Sequence, residues 1–499
     1  MTELKHLYRH ALHYLGGRVC LMLLGFVSFP LFTRVFSVAD YGTMGLVLKV
    51  VLLLTVIGKF GLQNSVQRFY AEEGASTDSA KRRRYYSSLF FGATGIGTLA
   101  MLLFVAAVSL APSGIMRSDL RFLFVLGGTL VLIRSLQPTL IGFIRAEGKT
   151  KTYNAIEIGV KAGTILLVCT LLLKWHRSLS VFFGGTAAIE AVGILGLAFY
   201  LYNRGLLDWK AVDWQYFRRA AVFAFPLVGY ELASVILDSG DRLLIQHYMG
   251  AQPLGYYSAA YNVSTYVEES LMVPINLALF PIYMKLWVEK GQAETQAFLS
   301  RSLNNFLLMA VGILCVVSLT SHDVIVVLAS RKFQDAHKLL PLLVAGLLIY
   351  AIHIFLNAAL LIHKRTGTMT ALAAYSCTLN IGLNIFLIPR VGLQGAAIAT
   401  LLSYAFLVAL MGRVSFRLMP LRIRYGGIAC NLVAAALTYL TLNQLHFQRA
   451  WVTATVKGFL ALIVYAGLVY LLNPEVRAAI MSHLKPDFKL KMARVSGGD

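Results

Sequence analysis

Apolar runs of about 20 residues, divided by short polar loops, recur along this sequence and leave few folds open. A run of that length crosses a hydrocarbon core about 30 Å thick as a helix, because lipid offers no partner for free backbone N–H and C=O groups. Fourteen spans are expected: 14–35, 43–66, 86–110, 121–145, 153–174, 181–202, 219–246, 254–281, 302–321, 338–362, 369–388, 395–413, 425–443 and 452–472. Only 14% of the residues are charged and 58% are hydrophobic, so no loop is long enough to fold alone. The expected fold class is an all-α polytopic membrane protein. The segment 324–330, VIVVLAS, is too short to span and reads as a surface or re-entrant piece. The tail 473–499 is polar and is expected to be partly ordered at best.

The loops set the orientation. Lys and Arg resist translocation, so basic loops stay on the cytoplasmic side. Lys5 and Arg9, Arg68 with the KRRR of 81–84, Lys149 and Lys151, Arg218 and Arg219, Lys285 and Lys290, Lys364 and Arg365, Arg422 and Arg424, and the tail residues Lys485, Lys489 and Lys491 all fall on one side. The opposite loops, such as 111–116 and 389–394, are short and poor in basic residues. Both termini are therefore expected in the cytoplasm. The same loops explain the net charge of +22, which in a soluble chain would point to nucleic acid. The N-terminal segment reads as a lead-in to a retained first span, not a signal peptide. The five cysteines lie in five different spans, so neither a disulfide framework nor a zinc site is suggested.

A repeat runs through this pattern. The stretch 226–261 echoes PLFTRVFSVADYGTMG at 30–45: an apolar run ends in a basic residue, and a short linker with YG or LG opens the next run. Arg34 and Gly42 fall opposite His247 and Gly255, an offset of about 213 residues that divides the chain into two similar halves. Pro30, Pro138, Pro226, Pro274 and Pro341 interrupt expected spans. They permit kinks that serve either bundle packing or alternating access.

Charges placed inside apolar spans are the main functional signal. Each costs on the order of 2.5–3.5 kcal/mol at the membrane centre, so six unpaired basic residues would cost roughly 15–20 kcal/mol. They must be paired, snorkelling or facing water. The basic candidates for a substrate cavity are Arg18, Lys49, Lys59, Arg134, Lys161 and Arg242. Their chemistry suits an anion such as a diphosphate, which arginine grips bidentately and lysine as a point charge. Glu231, Asp238, Asp241, Glu268 and Glu269 are candidates for charge balance or a coupling cation; Glu157 and Glu190 are further intramembrane acids. Spacing of four residues lets Glu157 pair with Lys161 and Asp238 with Arg242. Arg18 and the two lysines of the second span are long enough to snorkel. Arg134, about midway between Arg121 and Arg145, has the least ordinary explanation.

No catalytic or nucleotide-binding signature is present. In 142–152 the glycines are one residue too far apart for a phosphate loop, and no HExxH or metal-ligand cluster occurs. Neither an enzyme nor an ATP-driven pump is expected, and no cofactor or metal.

Three stretches carry a family resemblance: TRVFSVADYGTMG at 33–45, DRLLIQHYMGAQPLGYYSAAYNV at 241–263 and NIFLIPRVGLQGAAIATLLSY at 384–404. In order and spacing they resemble the Wzx-type polysaccharide flippases of the MOP superfamily, over roughly residues 10–415. The resemblance implies two pseudo-symmetric six-helix lobes around a central cavity, 1–205 and 206–416, then two helices at 417–475 and a cytoplasmic tail at 476–499. It implies movement of a polyprenyl-diphosphate-linked oligosaccharide across a bacterial inner membrane for exopolysaccharide, capsule or O-antigen synthesis. The partners it implies are that lipid-linked glycan, membrane lipid and a polysaccharide polymerase or other glycan-assembly protein. Three other readings stay open. They are a lipid II flippase of the same superfamily, a MATE-type drug/cation antiporter, which would want an acidic first half, and a membrane scaffold, which would need no buried charge.

Overall fold

The computed structural model describes residues 2–112, 118–445 and 447–484. The tail lysines and most of the 111–116 loop, on which part of the orientation reading rests, lie outside the described residues. Thirteen helices are long and apolar enough to cross a membrane. One of them, Ala251–Ala329, is broken at Gly291, whose φ of 77° lies outside helical space. Counted as two, it brings the total among the described residues to the fourteen expected.

In chain order the spanning helices are α1 (Thr2–Val35), α2 (Val38–Lys59), α3 (Ser79–Leu110), α4 (Ser118–Ala146), α5 (Thr150–Lys174), α6 (Leu179–Asn203) and α7 (Trp214–Met249). The second series is α8 (251–290), α9 (292–329), α10 (Leu340–Ile362), α11 (Thr366–Val391) and α12 (Leu393–Leu418), followed by α13 (Tyr425–Leu442) and α14 (Ala450–Leu472). Outward-facing Leu99, Leu102, Leu103, Phe199, Leu462 and Ile463 are exposed, as a lipid-facing surface requires.

Several expected boundaries change for physical reasons. Helix α1 begins at Thr2, and its apolar part, Gly16–Val35, agrees with the expected span at 14–35. Helix α2 stops at Lys59 instead of running to 66, because Phe60 and Gly61 both take positive φ (50° and 68°). A short helix, Leu62–Phe69, and a wide turn, Tyr70–Gly74, follow. Helix α3 starts at Ser79, where the Asp78 carboxylate accepts the Ala80 N–H at 2.9 Å, so 81–84 lies on its first turns. The 324–330 segment is no separate piece: all but Ser330 is the end of α9. Pro341 sits in the first turn of α10, where proline needs no kink, whereas Pro30, Pro138, Pro226 and Pro274 lie inside α1, α4, α7 and α8. Residues Pro474–Leu484 of the tail form a helix.

The repeat recurs in the helix starts. Those of α2 and α8, α3 and α9, and α6 and α12 each stand about 213 residues apart. Gly42 and Gly255 are related by the same offset and pack reciprocally. A Cβ on Gly42 would collide with the Ala251 carbonyl oxygen, and one on Gly255 with the Val38 carbonyl oxygen. The opening turns of α2 and α8 therefore touch backbone to backbone. The main buried cluster crosses the halves there, with Val47 and Val51 of α2 among Leu254, Tyr257 and Phe306. Helix α14 docks on α9, where the Tyr465 hydroxyl donates to the Leu308 carbonyl at 2.9 Å beside Gly312.

Candidate functional site

The intramembrane charges of α2 and α7 meet across the two halves. Lys49 Nζ lies 3.1 Å from Asp238 Oδ2, and Lys59 pairs with Glu231. Asp238 also accepts from Ser239 Oγ at 2.7 Å and from the Tyr261 hydroxyl. The i,i+4 pairing of Asp238 with Arg242 does not form. Arg242 donates instead to the backbone carbonyl of Asp238 at 2.9 Å and pairs with the Asp241 carboxylate at 3.3 Å. The helix turns its arginine inward over the Tyr261 ring, 4.2 Å from guanidinium carbon to ring centre. Asp238 is then left to face α2.

Arg242 and Asp241 are each only 1% exposed. Asp241 accepts from the Tyr257 hydroxyl and from Thr400 Oγ1 at 3.4 Å. The Tyr261 and Tyr404 hydroxyls stand 3.2 Å apart. One guanidinium nitrogen of Arg242 has no hydrogen-bond partner and is compensated by the ring beneath it. The arrangement is a buried internal ion pair joining α7, α8 and α12.

Arg134 of α4 is also paired. Its Nε and a terminal nitrogen hold the two Glu190 oxygens of α6 at 2.9 and 2.8 Å, a bidentate fork. Glu157 accepts from Gln137 Nε2 at 3.2 Å, and the expected Glu157–Lys161 pair does not form. A carboxamide on α4 has taken the acid and released the lysine.

Arg18 and Lys161 remain. They line one cavity of about 410 Å³ between α1, α5 and α8, together with Glu269, Tyr266 and Ser270. Neither makes a hydrogen bond or ion pair with a described residue, and both are exposed. The charges of Arg134 and Glu190 act on Lys161, and that of Arg18 acts on Glu269. Arg18 stands roughly 25 Å along α1 from its end at Val35, which sets the cavity toward the face that carries the basic loops. Glu268, half-buried one residue earlier, has Glu269 and Asp238 as its charged neighbours.

The opposite face is sewn shut across the halves. Arg34 of α1 donates to the Val327 carbonyl of α9 at 2.9 Å. Lys332 donates to the carbonyls of Arg34 and Phe36 at 3.0 and 2.8 Å. Asn262 donates to the Tyr41 hydroxyl at 2.6 Å, beside the Gly42–Gly255 contact.

Sequence reasoning found the charges and missed the tyrosines. Tyr257 and Tyr261 lie four apart in an apolar run, a spacing that puts two hydroxyls on one helix face and could have been read. Nothing marked Gln137 as the partner of Glu157.

The sequence matches the family described as polysaccharide biosynthesis protein over residues 7–287. A probable low-salt glycan biosynthesis flippase, Agl15, of Haloferax volcanii is 21% identical over 262 residues, 50% of this chain. The chain spans about half, 55%, of that relative's length. A putative O-antigen transporter of Shigella flexneri is 20% identical over 308 residues, 61% of this chain and 72% of its own length. Among solved structures, the lipid II flippase MurJ in an inward closed conformation superposes with a TM-score of 0.71 at 15% identity. The alignment covers 93% of this chain and 99% of that one, a likeness of fold.

Proposed function

We propose a function from one premise: the chain belongs to the polysaccharide biosynthesis protein family. It translocates a polyprenyl-diphosphate-linked oligosaccharide from the cytoplasmic to the outer leaflet of a bacterial inner membrane. The observation that carries this reading is the cavity in which Arg18 and Lys161 stand with no hydrogen-bond or ion-pair partner among the described residues, while the other four basic candidates are held by acids. Two unpaired cations beside one carboxylate leave the cavity net positive, which suits a diphosphate and opposes a cationic drug. Arg18 grips the phosphate oxygens and Lys161 neutralises them, while the prenyl chain stays in lipid.

In this reading residues 1–205 and 206–416 act as two lobes. They rock about the contacts of the closed face, and the α2–α7 ion pairs set which state is favoured. Glu231, Asp238 and Asp241 balance charge. Glu268 and Glu269 are the acids left to meet a coupling ion. Both termini and the basic loops lie in the cytoplasm.

The test is the leaflet distribution of lipid-linked oligosaccharide in cells that lack the protein. Accumulation on the cytoplasmic side is expected, relieved by wild type. R18Q and K161Q should relieve it at least tenfold less well at equal protein level. Full relief by R18Q/K161Q together would overturn the site. Normal glycan export with changed sensitivity to cationic drugs would overturn the substrate class.

A further inference from the structure

We propose that a second anion site, for a phosphate-bearing ligand, lies on the basic face between α9 and the segment 419–424 that leads into α13. A pocket of about 360 Å³ opens there, lined by Arg301, Arg422, Arg424, Ser300, Asn304 and Gln296 among others. None of its lining residues is acidic.

The pocket is built, because the backbone that carries two of the arginines is pinned to α9. The Arg422 N–H donates to Ser300 Oγ at 3.0 Å, and the Asn304 amide nitrogen donates to the Arg422 carbonyl at 2.9 Å. The Arg424 N–H donates to Asn304 Oδ1 at 2.9 Å. Arg424 spends one nitrogen on Glu475 at 2.7 Å. Arg301 and Arg422 make no side-chain hydrogen bond or ion pair with a described residue. Two free guanidinium groups on a fixed frame are suited to bidentate contact with phosphate oxygens.

The internal repeat supplies a control. About 213 residues earlier, Ser87 pins the α6–α7 link to α3 in the same way, accepting the Asp208 N–H at 2.9 Å. The pocket beside it is lined by Phe90, Phe91 and Trp209, and its arginine, Arg83, is held by Asp208 at 3.4 Å. The same scaffold thus gives a neutral aromatic pocket in the first half and a surplus of positive charge in the second. The staple therefore does not require the arginines.

The ligand reaches this pocket from the membrane edge or from water. Tyr425, next to Arg424 in the chain, is 74% exposed, and Leu432, Val433 and Leu437 further along α13 are exposed too. A phospholipid could seat its headgroup here with its chains along α13. Free phosphate offers the same oxygens without chains. The inference does not rest on the transport reading, since none of its residues lines the Arg18–Lys161 cavity.

The experiment uses the full-length protein, purified in detergent with a mixture of phosphatidylglycerol and phosphatidylcholine and then delipidated. Native mass spectrometry counts the retained lipids, and calorimetry follows titration with inorganic phosphate. Wild type is expected to keep phosphatidylglycerol at least fivefold better than R301Q/R422Q, with R301K/R422K between them and R83Q, at the first-half pocket, like wild type. That result assigns a lipid headgroup. Equal lipid retention with phosphate binding lost only in R301Q/R422Q assigns a free phosphate. Equal lipid retention and equal phosphate binding across these proteins would overturn the site, provided thermal melting shows the variants folded.

Discussion

Arg134 holds Glu190 in a fork, and that pairing changes what a substitution there reports. Removing the arginine leaves a carboxylate within the membrane, at a cost of about 3 kcal/mol if the pair behaves as other buried pairs do. R134Q and E190Q are each expected to lower the melting temperature of the purified protein, and R134M/E190M should recover most of the loss. Additive losses in the double variant would mean that the fork contributes nothing as a pair. The charges were legible in the sequence because Arg134 and Glu190 interrupt apolar runs. Their partnership was not, since it joins residues 56 apart and depends on how α4 packs on α6. The i,i+4 rule gave the wrong partner for both Asp238 and Lys161. Inside a bundle a side chain answers to neighbouring helices as much as to its own.

At the scale of helices, α2 is joined to α7 by Lys49–Asp238 and Lys59–Glu231. K49D and D238K should each cut glycan export severalfold, and K49D/D238K should restore part of it. Failure of the double variant to exceed either single would show that the pairing is not what matters at these positions. The opening turns of α2 and α8 meet without side chains, so G42A or G255A must push two backbones apart. Each is expected to raise the labelling of a cysteine placed near Tyr41 by a membrane-impermeant thiol reagent. Unchanged labelling would mean the closed face tolerates the methyl group. The repeat that brings these glycines together was visible as an offset in the sequence. The break at Phe60–Gly61 was not, because glycine is common in such chains and marks a break only where neighbours force a positive φ; the break at Gly291 falls in the loop expected between the eighth and ninth spans.

For the molecule as a whole, the number of candidate crossings follows from the apolar runs, and we propose that this even number puts both ends of the chain on the cytoplasmic side. Alkaline phosphatase fused after Gln448 should be active, and the same enzyme fused after Leu484 inactive; the reverse would invert the orientation. Fold class was the most legible property, because backbone satisfaction in lipid admits one spanning element for runs of this composition. The cavity was the least legible, since it is what remains after the other charges have found partners. The reciprocal seat of Gly42 and Gly255 also bears on ancestry. At a two-fold axis a residue meets its own copy. A single half-length chain with glycine at this one position could therefore have paired with itself at no steric cost, before any gene duplication joined the copies. In the fused chain each glycine is tied to the other, so a larger residue at one would select for compensating changes in the opposite half.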